Sequence, residues 1–352
     1  MRSGARRRKE WRLRAVAAVL AALLGHAALP GRAAPKPEPV KPAERETEEA
    51  GGDKGERVVV RSREPGAWEL PSNYRNADGS FNQQVIVAQQ KMRLDEANKR
   101  LTARMCLVET PHYLVFSDAD DAMTGLFVKW CEALYSNLCR HFSIGTKEKT
   151  WDGKCILVVF NSRAMFQQFA KTFDGNDASR AGAYFAWESR PTNQPQLVHI
   201  CLPLDTRDPR RLQELFAHEG THAFFQLYRK VVDLPLWLHE GLAEFMTVVN
   251  DKSLMSQKQE WSKSMARAGT SIRPILEVPS GQGFSSYPAY SVSYTLVDFL
   301  LTAGKSKFKK FIDLVKDGKP QEEALQEAYG FGLAELERRW YVFVQEYLPQ
   351  RH

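Results

Sequence analysis

The chain has 352 residues, five cysteines and a formal net charge of +7. Its first 34 residues hold eight of the 49 basic residues and one of the 42 acidic ones, so the remainder carries 41 of each. The basic balance therefore belongs to the leader and gives no ground for a nucleic-acid or membrane-surface partner of the rest. The odd cysteine count excludes a fully paired disulfide framework within one chain.

Residues 1–34 read as a secretory signal peptide. Arg2, Arg6, Arg7, Arg8, Lys9, Arg12 and Arg14 form a basic region, 15–24 an apolar one, and small residues follow near Gly31 and Ala34. The apolar run is too short to span a bilayer, so a secreted or periplasmic protein is expected, with no membrane span in the mature chain. A retained N-terminal anchor is the competing reading. Residues 35–55 are mostly Pro, Lys, Glu and Gly with almost nothing to bury, and read as a disordered linker. Residues 56–106 form a lead-in with a short strand at 57–61, a turn at Asn76-Ala77-Asp78-Gly79 and a helix over 81–105.

From about residue 107 a globular pattern begins. Strands are expected at 113–116 and 155–160 and helices over 118–142 and 161–173. Two more strands, 183–187 and 197–202, are joined by a polar loop. Cys131 and Cys139 fall two turns apart on one expected helix, about 12 Å at 1.5 Å per residue, too far to bridge each other. With Cys106, Cys155 and Cys201 they read as free, buried thiols, and none has C-x-x-C spacing. His112, His141 and His199 stand alone in the sequence and read as structural.

The stretch Ala217-His218-Glu219-Gly220-Thr221-His222-Ala223 carries H-E-x-x-H. Asp208 is a candidate N-cap with Pro209 at the first helical position, and no further proline interrupts 210–230. Residues four apart share a helix face, so His218 and His222 can aim two imidazoles at one metal ion. Glu219, rotated by about 100°, is placed to handle a water on that metal. Leu215, His218, His222 and Phe225 share one stripe. Leu212, Phe216, Ala223 and Leu227 make a neighbouring apolar stripe that anchors the helix. Gly220 costs about 1 kcal/mol in a helix interior, which suggests a close backbone approach.

Two ligands and a base within five residues fit a zinc hydrolase, but a third ligand is needed. The spacing H-x-x-G-x-x-H fails, because Phe225 and Tyr228 stand where glycine and histidine are required. A glutamate on the next helix is the other solution, and Trp237-Leu238-His239-Glu240-Gly241-Leu242-Ala243-Glu244 supplies Glu240, with His239 and Glu244 as rivals. Helices follow at 252–268, 290–302, 308–315, 322–328 and 333–347. A loop over 270–286, containing Pro274, Pro279, Gly281 and Gly283, is a candidate wall or lid.

Taken together, H-E-x-x-H and Trp237-Leu238-His239-Glu240-Gly241-Leu242-Ala243, with Glu240 18 positions after His222, resemble the gluzincin metallopeptidases of the peptidase MA-like type. The stretch Tyr287-Pro288-Ala289-Tyr290-Ser291-Val292-Ser293-Tyr294-Thr295-Leu296-Val297 resembles that family's Y-A-x-S-x-x-L-V helix. The resemblance implies an α+β, thermolysin-like, two-lobed fold over 107–350. A small mixed sheet and the active-site helix would form an N-lobe (about 107–230), and helices alone a C-lobe (about 231–350). It implies one Zn2+ held by His218, His222 and Glu240, with Glu244 accepting from a ligand histidine. It also implies peptide or protein substrates, hydrolysed by zinc-activated water with Glu219 as general base. Tyr290 would be the oxyanion donor, with Tyr294 the alternative. An edge strand, either 183–187 or 197–202, would pair with the substrate. No G-x-M-E-N motif is present to anchor a free N-terminus. A catalytically silent binding module and a zinc hydrolase of a non-peptide substrate are the other classes open to this sequence.

Overall fold

The structure, a computed structural model, describes residues 73–348 apart from 146, 147, 149, 189–192 and 281. The expected signal peptide, the linker and the strand at 57–61 lie outside the described residues. The turn at 76–79 forms as expected: Gly79 adopts φ +81° and its N–H bonds the Asn76 carbonyl at 3.0 Å.

Helix α1 (Gln83–Arg100) starts at Asn82, whose side chain accepts from the Val85 N–H. It stops five residues short of the expected end, and β1 (Cys106–Glu109) follows, a strand not foreseen from the sequence. Then come β2 (Tyr113–Ser117), α2 (Asp121–Phe142, capped by Asp120), β3 (Cys155–Phe160) and α3 (Arg163–Phe169). The last turn of the helix expected over 161–173 is instead a π-helical turn, Ala170–Asp174, closed by Gly175 at φ +64°. Strands β4 (Tyr184–Trp187) and β5 (Val198–Pro203) complete the sheet.

The sheet is mixed, in the order β1-β2-β3-β5-β4. The central pairs β2/β3 and β3/β5 are parallel and the outer pairs β1/β2 and β4/β5 antiparallel. Strands β2 and β3 are buried on both faces, as helix-covered parallel strands are. Alternating residues therefore feed two cores. Tyr113, Val115, Leu157, Val159, Ile200 and Leu202 face one, and Leu114, Phe116, Ile156, Val158, Phe160 and Cys201 the other.

After the sheet every regular element among the described residues is helical. These are α4 (Pro209–Leu227), α5 (Leu236–Asn250), α6 (Met255–Ala268), α7 (Arg273–Leu276), α8 (Tyr287–Ala303), α9 (Lys305–Lys316), α10 (Gln321–Tyr329) and α11 (Leu333–Val342). No described helix is long and apolar enough to cross a membrane. A small mixed sheet with many helices makes this an α+β protein.

The apolar stripe of α4 behaves as its spacing requires: Leu212, Phe216, Ala223 and Leu227 are buried in the core shared with the sheet. Helices α5 and α8 pack closest at Gly241, where an added Cβ would overlap the Ser293 carbonyl oxygen. The close approach suggested for Gly220 is also present, since a Cβ there would press on the end of Leu134.

All five cysteines are free. Cys106 is exposed and the others are buried. His112 is structural as expected, its Nδ1 lying 2.6 Å from Glu132 Oε2 and its ring stacked on Tyr135.

Candidate metal centre and catalytic site

Helix α4 is fixed at its N-terminus by Asp208, whose side chain accepts from the Arg210 N–H, with Pro209 in the first turn. Its third and fourth turns carry His218 and His222 on the face turned toward α5. Helix α5 begins after Pro235, and its second turn brings Glu240 against both imidazoles. His218 Nε2 and His222 Nε2 are 3.1 Å apart, and Glu240 Oε2 lies 3.5 Å from the first and 3.4 Å from the second.

A tetrahedral zinc with bonds of about 2.0–2.2 Å requires ligand atoms roughly 3.3–3.5 Å apart. The two imidazole–carboxylate separations fall in that range and the imidazole–imidazole one is shorter by about 0.2 Å, and the donor set of two imidazoles and a carboxylate suits the ion. Two ring nitrogens pointing at one another also need a cation or a shared proton between them. These three side chains are a group that could hold a metal ion.

The electrostatics agree. Burial works against a charge on His218, yet Glu240, Glu219 and Glu244 outweigh it and hold the imidazole above its ordinary pKa. Burial likewise opposes ionisation of Glu240, but His222 and His218 keep it well below the usual carboxylate range. The carboxylates thus hold positive charge in a dry pocket, the condition a bound cation would satisfy.

Glu244, one turn beyond Glu240, lies 3.6 Å from His218 Nδ1 through one oxygen. Its other oxygen is 2.5 Å from the ammonium of Lys258 on α6. Lys258 is buried and also lies 3.2 Å from Glu214 Oε1. Nothing in its sequence setting marks Lys258 as part of a site: it reads as one more lysine on a polar helix. Helix α6 is held against α8 by buried hydroxyls, with Ser262 Oγ at 2.9 Å from both Ser291 Oγ and Thr295 Oγ1.

Glu219 is buried, and burial pushes its carboxyl up to about 7. It accepts a hydrogen bond from the Phe185 backbone N–H. Strand β4, not β5, is the edge of the sheet, which settles which of the two strands has an outer side. The Glu188 N–H bonds the Leu197 carbonyl. In the β4/β5 register this makes Tyr184 and Ala186 the residues bonded to β5. The backbone of Phe185 and Trp187 therefore faces outward, and the Phe185 N–H meets Glu219. The Phe185 ring packs 5.4 Å from His222.

Tyr290 stands in the first turn of α8. Burial raises its pKa, and Glu240, Glu244 and Glu219 raise it further, so its hydroxyl stays protonated beside the metal ligands. The segment expected as a loop over 270–286 contains α7, and the Phe284 ring, from the stretch between α7 and α8, meets Tyr290 edge-on at 5.3 Å. That stretch is tied to the start of α5, since Ser280 Oγ donates to the Leu234 carbonyl at 3.2 Å. Tyr294, one turn on, is buried and packs against Phe245. His239 does not join the converging ligand atoms; its ring lies 4.2 Å from that of His222, tilted by 38°. Tyr228 is directed elsewhere, donating to Glu148 or Asp313 at 2.8 Å.

Residues 212–346 match the family model described as the Peptidase MA superfamily. The match supports a peptidase MA-like domain over this segment, which contains His218, His222 and Glu240 and runs from the first turn of α4 through α11. The sheet lies outside the match. No curated protein matches the chain.

Proposed function

We propose that the protein is a zinc metallopeptidase that hydrolyses peptide bonds in a cleft between the sheet-bearing part and the helical part. The observation that carries this reading is the convergence of His218 Nε2, His222 Nε2 and Glu240 Oε2 at 3.1–3.5 Å. His218, His222 and Glu240 would hold the ion. Zinc bound there supplies a Lewis acid that polarises a carbonyl and lowers the pKa of a water toward about 7.

The chain's own groups do the rest. Glu219, positioned by the Phe185 N–H, takes a proton from the attacking water and returns it to the leaving amine. A carboxyl pushed up by burial suits both steps near neutral pH, and a neighbouring dication draws it back toward the ionised form. The Tyr290 hydroxyl donates to the carbonyl oxygen as charge builds there. The outward Phe185 carbonyl and the outward backbone of Trp187 receive an extended peptide as a further strand, which puts the scissile bond beside Glu219. Glu244 holds His218 in orientation. The leader composition supports an exported protein.

The test is peptide-library cleavage by the wild type and Glu219→Gln, with metal content measured on both. Chelator-sensitive cleavage by the wild type is expected. Glu219→Gln should keep the wild-type metal content and lose cleavage by orders of magnitude. Undiminished cleavage by that variant rules Glu219 out as the base.

A further inference from the structure

A second set of metal-binding side chains lies on the opposite face of the sheet. His199 and Cys201 are two apart on β5 and so share a face. Tyr184 of β4 sits directly across from Cys201 in the antiparallel register and joins that face. The π-helical turn at Ala170–Asp174 carries the Asp174 carboxylate over the same spot. This is the face of the second core, which includes Tyr184 and Cys201. Phe185, which packs on His222, belongs to the other face.

The four side chains are in mutual contact. Asp174 Oδ2 lies 3.0 Å from His199 Nε2 and accepts from the Tyr184 hydroxyl at 2.6 Å. The Cys201 thiol lies on the same strand face, across from Tyr184 and two residues from His199. One ligand atom each from Asp174, His199 and Cys201 fall within 4.8 Å of one another. Cys201 and Tyr184 are fully buried, whereas the His199 side chain is 19% exposed, which leaves a way in for a small ion.

We propose that Asp174, His199 and Cys201 form a second, structural metal site that takes Zn2+. Thiolate, imidazole and carboxylate together are a donor set for a borderline ion, not for Ca2+ or Mg2+, which take oxygen ligands. The charges also balance. A thiolate, a carboxylate and a neutral imidazole around a dication sum to zero, the least costly state for a buried cluster. On binding, the Cys201 thiol releases its proton to solvent. The Tyr184 oxygen or a water entering beside His199 completes the tetrahedron. The ion would tie the turn after α3 to β4 and β5, and so brace the edge strand whose other face meets His222.

Cobalt substitution separates this centre from the first, because a Co2+–thiolate charge-transfer band in the near ultraviolet requires a cysteine ligand and the His218/His222/Glu240 set has none. Metal-free full-length protein is titrated with Co2+ and, separately, with Zn2+. The wild type should show the band and bind two zinc equivalents. His222→Ala should keep the band and bind one. Cys201→Ser, nearly isosteric, should lose the band and bind one, and His199→Gln should do the same should the serine variant fold poorly. A wild type without the band overturns the proposal whatever the variants do, and so does a band that survives in Cys201→Ser. Loss of peptide cleavage alone touches only the catalytic reading, since the band is read without substrate.

Discussion

The Lys258 ammonium lies 2.5 Å from Glu244 Oε2, and the other oxygen of that carboxylate is 3.6 Å from His218 Nδ1. His218 thus lies beside a carboxylate that is itself held by a buried cation. Burial works against the charge on Lys258, but Glu244 and Glu214 more than offset it and raise its pKa. Lys258→Met would strand Glu244 as an uncompensated buried charge. Breaking such a pair costs roughly 3–5 kcal/mol, and loss of an outer partner costs about 10–100-fold in metal affinity. The expected result is a lower melting temperature and a 10–100-fold rise in the zinc concentration that restores cleavage to metal-free enzyme. A wild-type zinc requirement would show that Glu244 orients His218 without help.

Tyr290 and Tyr294 occupy successive turns of α8, and Tyr290 feels Glu240, Glu244 and Glu219 together. Tyr290→Phe should lower kcat by about 10²–10³, the usual cost of losing one oxyanion donor, with KM and metal content little changed. Tyr294→Phe should leave kcat near the wild-type value. Steady-state kinetics on one peptide decides the point, and the reverse ranking would move the donor to Tyr294.

What the sequence revealed follows from how local each signal is. His218, Glu219 and His222 were legible because a single helix sets their relative positions. Glu240 needed the resemblance, since its helix is reached only through a loop. Strand β1 was missed because Cys106–Glu109 is largely exposed and shows no apolar alternation. The choice of edge strand was closed to sequence reasoning because β5 pairs with β3, across more than thirty-five residues of chain. Lys258, and the grouping of Asp174 with His199 and Cys201, depend on tertiary packing in the same way. Only the fold shows that His199 has company.

The glycine after Glu240 is required by helix packing. A Cβ at position 241 would overlap the Ser293 backbone carbonyl and the Val297 side chain, whereas one at 220 meets mainly the end of Leu134. Gly241→Ala should therefore push α8, and Tyr290 with it, away from α5. Overpacking of this kind costs about 1–3 kcal/mol, and kcat should fall as well. Gly220→Ala should be milder, because a side-chain end can yield and alanine gains up to about 1 kcal/mol in helix propensity. Melting temperatures and kcat of the two variants compare them directly. Equal destabilisation would place the constraint at Gly241 elsewhere than in the α5–α8 contact.

Lys316 ends α9 and is fully buried. Its amine donates to the Val232 carbonyl at 2.6 Å and the Gln226 carbonyl at 3.1 Å. Those acceptors lie at the end of α4 and in the segment leading to α5, so one lysine ties together the ends of the helices that carry His218, His222 and Glu240. Burial lowers its pKa to about 7, with Asp233 opposing the shift. In the unfolded chain the group titrates near 10.5. Between about pH 7 and pH 10.5 the unfolded state therefore holds a proton that the folded state lacks. Stability from this group then rises with pH, by up to about 1.4 kcal/mol per unit. Below pH 7 both states are protonated and the contribution is flat and at its lowest. Lys316→Met removes the titration and leaves two carbonyls without their donor. Urea unfolding of both proteins from pH 6 to pH 9.5 should show the wild type gaining on the variant as pH climbs through 7. Parallel curves would mean that Lys316 keeps its charge when buried, with a water or Asp233 compensating it.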